Sequence, residues 1–218
     1  MKGWRIWKAV FCLFFLGIIC TTAGLVNKSA AARVSHELQR SLLKHQDSRP
    51  AASQLRRLQR YNYLINYFCS FAYFQKGRTV NADFLRALII AESNVRPRAI
   101  SSKGARGLTQ ILYSTGRQAA RELVATHYRF RYVNIHRLSH LRKEDLDDPA
   151  INLLLASYLI AKYNIQFNGK LDLVVAAWNA GGKSIKNNTP PHYPETLDLI
   201  GKVNSHFLYF IRRNSGKG

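Results

Sequence analysis

Apolar residues follow helical spacing along most of this chain. After Asn81, a good N-cap residue, they recur at intervals of three and four up to Ile89, which predicts an amphipathic helix that stops near Pro97. Neither the two-residue alternation of a half-buried strand nor an internal repeat stands out. The pattern therefore predicts a mainly α fold of packed helices with little or no sheet.

Further helices are indicated by the same periodicity and by the Gly, Pro and Asp residues that interrupt it. The predicted ranges are 61–68, 109–125, 150–163, 171–178 and 194–210. The first is rich in aromatic residues, which we interpret as core packing, with a sugar-binding platform as the alternative. The stretch 127–147 is basic and irregular, and it predicts no clear element.

The first 26 residues have the layout of an export signal. Lys2, Arg5 and Lys8 precede an uncharged, mostly apolar run from Ala9 to Val26, with a passable small-residue cleavage site at residues 21–23. About 18 uncharged residues is at the short end of what spans a bilayer. A cleaved signal and an uncleaved membrane anchor both stay open, with the anchor favoured, and in either case the body of the protein is expected to be exported.

Composition divides the rest of the chain into three parts. Residues 27–60 are polar and basic with patchy helical spacing, which predicts a helical or partly disordered linker that holds the domain off the membrane. Residues 61–210 are expected to form the main folded domain, and residues 211–218 form a polar tail. Cys69 is the one cysteine of the body, so an intrachain disulfide there is excluded, and its aromatic neighbours indicate a buried apolar residue.

The formal net charge of +21 restricts the class of partner. Such a charge suits an anionic polymer, a membrane surface or nucleic acid, although a solvated basic face without a specific ligand is an equal alternative. Export and the lack of any zinc-finger or RNA-recognition signature argue against nucleic acid. His136 and His140 have the spacing of a metal pair but no third ligand nearby, so we expect neither a metal nor another cofactor.

One carboxylate, Glu92, is the first candidate for chemistry. It follows Leu85, Leu88 and Ile89 by seven, four and three residues, so it falls on the apolar stripe of its own helix. A carboxyl group that faces the interior ionises less readily, and the raised pKa suits a general acid near neutral pH. A buried glutamate paired with an arginine is the alternative.

Two turns supply candidates for ligand binding. The turn 104–107, with two glycines and the small Ala105, allows backbone to approach a ligand closely. Gln110, at the start of the next predicted helix, offers a donor and an acceptor to the acetamido and hydroxyl groups of a sugar. Trp178 could stack on a sugar ring and is followed by Asn179 at a helix end. An ordinary connecting turn and core packing of the tryptophan are the alternatives.

Taken together, these blocks resemble the transglycosylase SLT family of bacterial cell-wall enzymes, the lytic transglycosylases. That family pairs Glu-Ser with a serine nine positions after the glutamate, and then with Gly-Ala-x-Gly-Leu-Met-Gln. This chain has Glu92-Ser93, Ser101 and the run 104–110 at that spacing. Later blocks in family order are Asp148-Pro149 with Asn152, Ala177-Trp178-Asn179-Ala180-Gly181, and Pro194-Glu195-Thr196 with Val203. The resemblance covers about residues 81–203.

The chain also departs from the family pattern. The departures are Arg96 for Asn, Thr109 for Met, Ala156 for Gly, Trp178 for Tyr and Leu199 for Tyr. A tryptophan ring nitrogen donates a hydrogen bond but cannot accept one, so the role of the family tyrosine does not carry over unchanged. The basic segment between Gln110 and Asp148 is longer than usual, as expected of a modified cleft wall.

The resemblance implies a lysozyme-like catalytic domain that cleaves peptidoglycan without water. Glu92 would protonate the oxygen between N-acetylmuramic acid and N-acetylglucosamine, and then accept the proton of the muramic C6 hydroxyl as that oxygen attacks C1. A 1,6-anhydro sugar would result. The residues implied in substrate binding are Ser101, Ala105, Gly107, Gln110, Trp178 and Asn179. Hydrolases ordinarily need two carboxylates, and we interpret Glu195 as structural.

Two other functions stay open, namely a muramidase-type hydrolase of the same fold and a non-catalytic wall-binding module of an envelope-spanning machine. The expected partners are peptidoglycan glycan strands, the membrane through the N-terminal segment, and secretion or conjugation machinery. The expected location is the bacterial periplasm or cell envelope, with anchoring in the inner membrane if the N-terminal segment is not cleaved.

Overall fold

The computed structural model describes residues 21–126 and 128–216, with burial of side chains from residue 32 onward. Most of the predicted signal or anchor, residues 1–26, lies outside the described residues. Within the described ranges, no helix combines the length and the apolar character that crossing a membrane requires.

The described part of the chain is helical, with isolated β-bridges and no strand. Its α-helices are α1 (Thr21–His45), α2 (Ala52–Gln59), α3 (Asn62–Cys69), α4 (Ala82–Ser93), α5 (Tyr113–Val124), α6 (Ile135–Ser139), α7 (Pro149–Gln166), α8 (Leu171–Ala180) and α9 (Pro194–Ser215). Two 3₁₀ turns, Lys143–Asp147 and Gly182–Ser184, complete the set. The predicted mainly α fold is therefore confirmed.

Helix α7 lies at the centre of the fold. Every residue from Ile151 to Ala161 is buried, which explains why this stretch is apolar on all sides. Asp148 caps the helix through its side chain, which accepts a hydrogen bond from the backbone N–H of Ala150, and Pro149 occupies the first turn. Helices α3, α5 and α8 all pack against this helix.

The aromatic residues of α3 pack as a cluster against the segment that follows α5. Phe68 is fully buried, and the rings of Tyr67 and Tyr132 meet edge to face with their centroids 4.9 Å apart. Cys69 is buried beside them, and burial raises the pKa of its thiol to about 11. The core interpretation therefore holds for Phe68 and for the partly buried Tyr67, whereas Tyr63 is exposed.

The basic stretch 127–147 contains elements that the sequence did not predict. Asn134 caps the short α6, and the 3₁₀ turn follows it. Arg137 donates hydrogen bonds to Asp145 and Asp148, each at 2.8 Å, and these bonds connect α6 to the start of α7. The buried apolar residues of this segment, Val133, Leu138, Leu141 and Leu146, stand at irregular spacing, which is why its pattern predicted no element.

Helices α1 and α9 are packed together over the second half of α1. The hydroxyl of Ser41 donates to the Leu197 carbonyl at 2.7 Å, and Lys44 and His45 both contact the carboxylate of Asp198. Gly201 permits this approach, because a Cβ there would lie 2.4 Å from the Ser41 hydroxyl oxygen. The predicted linker 27–60 therefore consists of helix α1 and helix α2 with a non-helical break at residues 46–51, and the second half of α1 contacts the domain directly.

Candidate active site

Glu92 lies in the last turn of α4, beside a sharp change of chain direction. Asn81 begins this helix as predicted, because its side chain accepts hydrogen bonds from the N–H groups of Asp83 and Phe84. The helix ends at Ser93, earlier than the predicted end near Pro97, since Asn94 and Val95 adopt φ angles of 54° and 61°. Left-handed backbone is rare for a β-branched residue such as Val95, and such strain is concentrated at functional sites.

Glu92 borders an open cleft with about 670 Å³ of empty space. The cleft is bordered by the end of α4 and the turn that follows it, by α7, and by the end of α8 and the start of α9. Its lining residues are Glu92, Ser101, Lys103, Ala105, Gln110, Ile111, Leu112, Thr115, Leu159, Tyr163, Trp178, Asn179 and Glu195. Polar groups on one apolar concave surface are typical of a ligand-binding site.

Burial raises the pKa of the Glu92 carboxyl to about 8. Desolvation is the main cause, and the nearby negative charge of Glu195 adds to it, while the Trp178 indole N–H and the positive charge of Lys202 act in the opposite direction. No cation within the described ranges forms an ion pair with Glu92, so the predicted alternative of an arginine-paired glutamate finds no support. At neutral pH this carboxyl therefore holds a proton that it can donate.

One wall of the cleft is a turn whose polar groups bond mainly to one another. Ser101 donates its backbone N–H to the Ala105 carbonyl and accepts the Ala105 N–H at its side-chain oxygen. Gln110 donates its side-chain amide to the carbonyls of Ala99 and Gly107, both at 3.0 Å. The amide hydrogens of Gln110 are thus engaged inside the wall, and its carbonyl oxygen and the Ser101 hydroxyl hydrogen are the groups left for a ligand.

Gln110 does not begin a helix as the sequence predicted. Its φ angle is 53°, and α5 starts only at Tyr113, because the backbone of Arg106 pairs with that of Ile111 across the turn. The late start of the predicted helix therefore reflects a short bridged loop that helical periodicity does not reveal.

Gly107 holds the turn against α7. Its φ angle is 84°, and a Cβ there would lie 2.2 Å from both the Asn152 amide nitrogen and the Leu146 carbonyl oxygen. Asn152 is fully buried and donates to the carbonyls of Arg106 and Leu146. Gly107 is thus buried behind the cleft wall, so its predicted contact with substrate is not supported by its position.

The same asparagine explains the polar residue Thr109. The side-chain oxygen of Asn152 accepts hydrogen bonds from both the N–H and the hydroxyl of Thr109, at 3.0 and 2.7 Å. Thr109 is fully buried, so the hydroxyl needs such a partner. The departure from the family methionine is therefore accommodated within the fold.

Trp178 joins the end of α8 to this turn. Its indole N–H donates to the Thr109 carbonyl at 3.2 Å, and its ring is partly exposed on the cleft near Glu92. The side chain therefore combines the two interpretations that the sequence left open, because one part is anchored by a hydrogen bond and another part faces the cleft.

Asn179 and Glu195 form the far side of the cleft. The Asn179 side-chain oxygen accepts the Thr196 hydroxyl at 2.6 Å, and Lys103 reaches across to the Glu195 carboxylate at 2.7 Å. The Lys103 ammonium is the main cause that holds the pKa of Glu195 below its ordinary value, and Asn179 contributes. Glu195 therefore carries a charge where Glu92 does not.

The structure brings together all but one of the predicted site residues. Glu92, Ser101, Ala105, Gln110, Trp178 and Asn179 line the cleft, and Gly107 does not. Lys103, Tyr163 and the exposure of Glu195 in the cleft were not predicted from the sequence. Glu195 does stand in a block that follows family order, which was the available signal. No cluster of three or more His, Cys, Asp or Glu side chains converges among the described residues.

Comparisons with known proteins identify the family and the fold. The family model described as "Transglycosylase SLT domain" matches residues 69–193, which is more than half of the chain. No curated protein matches the chain.

Solved structures share the fold at low sequence identity. The 70-kDa soluble lytic transglycosylase of Escherichia coli superposes with a TM-score of 0.55 at 21% identity, over 69% of this chain and 24% of that one. The complex of the 70-kDa soluble lytic transglycosylase with bulgecin A gives 0.56 at 19%, over 87% and 29%. An inactive Glu-to-Gln mutant of lytic transglycosylase Slt from Pseudomonas aeruginosa gives 0.51 at 21%, over 62% and 22%. This chain thus spans about a quarter of the length of these relatives, and the likeness shows a common fold.

Proposed function

Since this chain belongs to the transglycosylase SLT domain family, we propose that it cleaves the glycan strands of peptidoglycan as a lytic transglycosylase. The bond cleaved joins C1 of N-acetylmuramic acid to N-acetylglucosamine, and the product carries a 1,6-anhydromuramic acid end. The observation that carries the proposal is one protonated carboxyl, Glu92, on the wall of the cleft.

In the first step Glu92 acts as the general acid. A carboxyl with a pKa of about 8 is largely protonated at neutral pH, so it can donate to the glycosidic oxygen as the bond to C1 breaks. In the second step the resulting carboxylate accepts the proton of the C6 hydroxyl, whose oxygen attacks C1. The carboxyl thus ends the cycle protonated, and no water is consumed.

The polar groups of the cleft suit the substituents of the sugar rings. The Ser101 hydroxyl and the free carbonyl oxygen of Gln110 can bond to acetamido and hydroxyl groups. The exposed part of Trp178 offers an apolar surface for a ring, and Asn179 lies next to it on the cleft. These residues are proposed to bind substrate, whereas Gly107 is proposed to support the turn behind them.

Glu195 gives the hydrolase alternative a specific basis. It lies in the same cleft as Glu92, and the pKa values of the two carboxyls are displaced in opposite directions. An inverting hydrolase would use such a charged carboxylate to activate water. Yet a carboxylate whose pKa is lowered by Lys103 is a weak base, and its position on the far side of the cleft also suits substrate binding. We therefore favour the reaction without water.

Digestion of purified sacculi separates these functions. We expect the wild type to release anhydromuropeptides, identified by a mass 18 Da below that of the hydrolysed products, and we expect Glu92→Gln to release none. Glu144→Gln, an exposed acidic position outside the cleft, is the matched control and should retain full activity.

The outcomes of this digestion are distinct. Reducing ends in place of anhydro ends, together with loss of activity in Glu195→Gln, would establish the hydrolase. Binding to sacculi without release of any product would establish a wall-binding module. Anhydro products from Glu92→Gln would show that another group is the acid.

We further propose that the protein is exported and acts in the bacterial periplasm or cell envelope. The N-terminal segment would hold it to the inner membrane if uncleaved, and secretion or conjugation machinery is the proposed larger assembly. Sequencing the N-terminus of the mature protein tests the first point, because a start near Gly24 would show cleavage and a retained Met1 would show an anchor.

A further inference from the structure

A second groove adjoins the cleft at Glu92. It is bordered by residues 96–101, the stretch that follows the left-handed turn at the end of α4. It shares Glu92, Ser101 and Gln110 with the cleft described above, so the two are continuous. With about 1330 Å³ of empty space it is the more open of the two. A polymer that lies across Glu92 would therefore extend into this groove.

The chemistry of this groove differs from that of the cleft. Its side chains include the exposed Arg96 and Arg98, together with Pro97 and Ile100, of which Ile100 is 59% exposed. The aromatic rings that suit sugar faces line the cleft and not this groove. Guanidinium groups beside short aliphatic surface instead suit carboxylates carried on small apolar residues.

The two arginines are available for an anionic ligand. The arginines that form ion pairs within the described ranges are Arg86, Arg106, Arg137 and Arg142. Arg96 uses its Nε to donate to the Ser93 carbonyl at 3.0 Å, which fixes the side chain beside Glu92 and leaves its terminal nitrogens to donate elsewhere. By contrast, Lys103 in the cleft is already paired with Glu195.

Arg96 also departs from the family pattern, which has Asn at its position. A sugar polymer made of uncharged residues would gain nothing from two guanidiniums next to the bond that is cleaved. Peptidoglycan, however, carries short peptides on its muramic acid residues, and these peptides end in or bear free carboxylates next to small alkyl side chains. The ligand chemistry of the groove thus matches the substituents of the polymer.

We propose that Arg96 and Arg98 bind the carboxylates of the peptide stems and so direct the enzyme to glycan strands that carry acidic peptides. This inference rests on the proposed function, since it concerns the substrate of the same site. Because both guanidiniums are exposed to solvent, each contact changes the rate a few-fold at most. The two arginines together are expected to give about a five-fold preference.

The test compares two forms of one substrate with the full-length chain. Amines of purified sacculi are acetylated, and in half of the sample the carboxylates are then converted to amides, which removes their charge without removing the peptides. We expect the wild type to cleave the carboxylate form about five-fold faster at low substrate, and the variant Arg96→Gln, Arg98→Ala to cleave both forms at the same rate. Arg121→Ala, an exposed arginine of α5, should keep the wild-type ratio.

The single variant Arg98→Ala controls for a folding defect, because none of the described hydrogen bonds involves the Arg98 side chain. We expect it to lose about half of the preference for the carboxylate form, on a logarithmic scale. A double variant that keeps the full preference, or that slows equally on both forms, would overturn the proposal. Sedimentation of Glu92→Gln with the two forms gives an independent readout, in which a five-fold difference in affinity is expected and equal affinity would overturn it. If no sacculi are cleaved but this binding difference holds, the proposed reaction fails while the peptide contact stands.

Discussion

The chemistry of Glu92 depends on where its carboxyl lies and not on a partner that neutralises it. The sequence predicted this from helical spacing alone, since Leu85, Leu88 and Ile89 share its face. The spacing could not show that a second carboxyl, on Glu195, lies across the cleft, because the two residues are far apart in the chain and meet only after α9 packs on α4.

The raised pKa of Glu92 has a consequence for stability. The folded protein keeps a proton that the unfolded chain releases as pH rises from about 4.5 towards 8, so the free energy of unfolding of the wild type falls across that window. Glu92→Gln has no such loss. We expect the variant to be more stable than the wild type by on the order of 2 to 4 kcal/mol at pH 8, with little difference at pH 4.

Urea unfolding at several pH values measures this difference. Glu144→Gln, at an exposed position, should follow the wild type throughout. A stability gain for Glu92→Gln that does not change with pH would show that the carboxyl ionises normally in the folded protein.

At the scale of elements, the bridged turn between α4 and α5 is the part that the sequence predicted least well. Helical periodicity indicated that Gln110 begins a helix, whereas the turn is held by bonds from Asn152, which comes much later in the chain. Long-range hydrogen bonds of this kind produce no periodic pattern in the sequence. The glycines of the turn were recognised, but their separate roles depend on what lies beside each one.

Gly107 and Gly104 allow a test of how the surroundings of a glycine determine its role. Both have positive φ angles, 84° and 78°, yet an added Cβ would collide only at Gly107 and would meet nothing within 4 Å at Gly104. We expect Gly104→Ala to lower the free energy of unfolding by about 1 kcal/mol, and Gly107→Ala by about 3 kcal/mol or more because the turn must also move away from Asn152. Denaturant unfolding of both variants checks the difference, and equal losses would mean that α7 does not confine the turn.

At the scale of the whole molecule, the mainly α architecture and the order of its blocks were predictable, since each long helix is periodic or uniformly apolar. The packing of α1 against α9 was not, because the residues of α1 that contact the domain, among them Val34, Leu38 and Ser41, lie in a stretch of sequence that is otherwise polar and basic. The boundary at residue 61 stays a prediction, although contacts of Ser41, Lys44 and His45 cross it.

Asp198 is the residue through which those contacts can be tested. Lys202, Lys44 and His45 together hold the pKa of its carboxyl well below the ordinary value, so the stabilisation is present above pH about 4 and is lost as pH falls below that. We expect Asp198→Asn to lower the free energy of unfolding by about 1 to 2 kcal/mol at pH 7, with the difference shrinking as pH falls from 4 to 2. Thermal unfolding with Asp47→Asn as the exposed control measures this, and a loss of equal size at pH 2 would contradict the assignment.

The hydrogen bonds within the turn beside Glu92 also affect the entropy of ligand binding. Its backbone and the amide of Gln110 are fixed by their own partners, and Asn152 fixes the turn from behind. A ligand therefore meets a wall whose conformational freedom was already given up during folding, so little further ordering is needed when it binds. Such preorganisation leaves more of the contact energy available to hold a sugar ring in the distorted shape that cleavage requires.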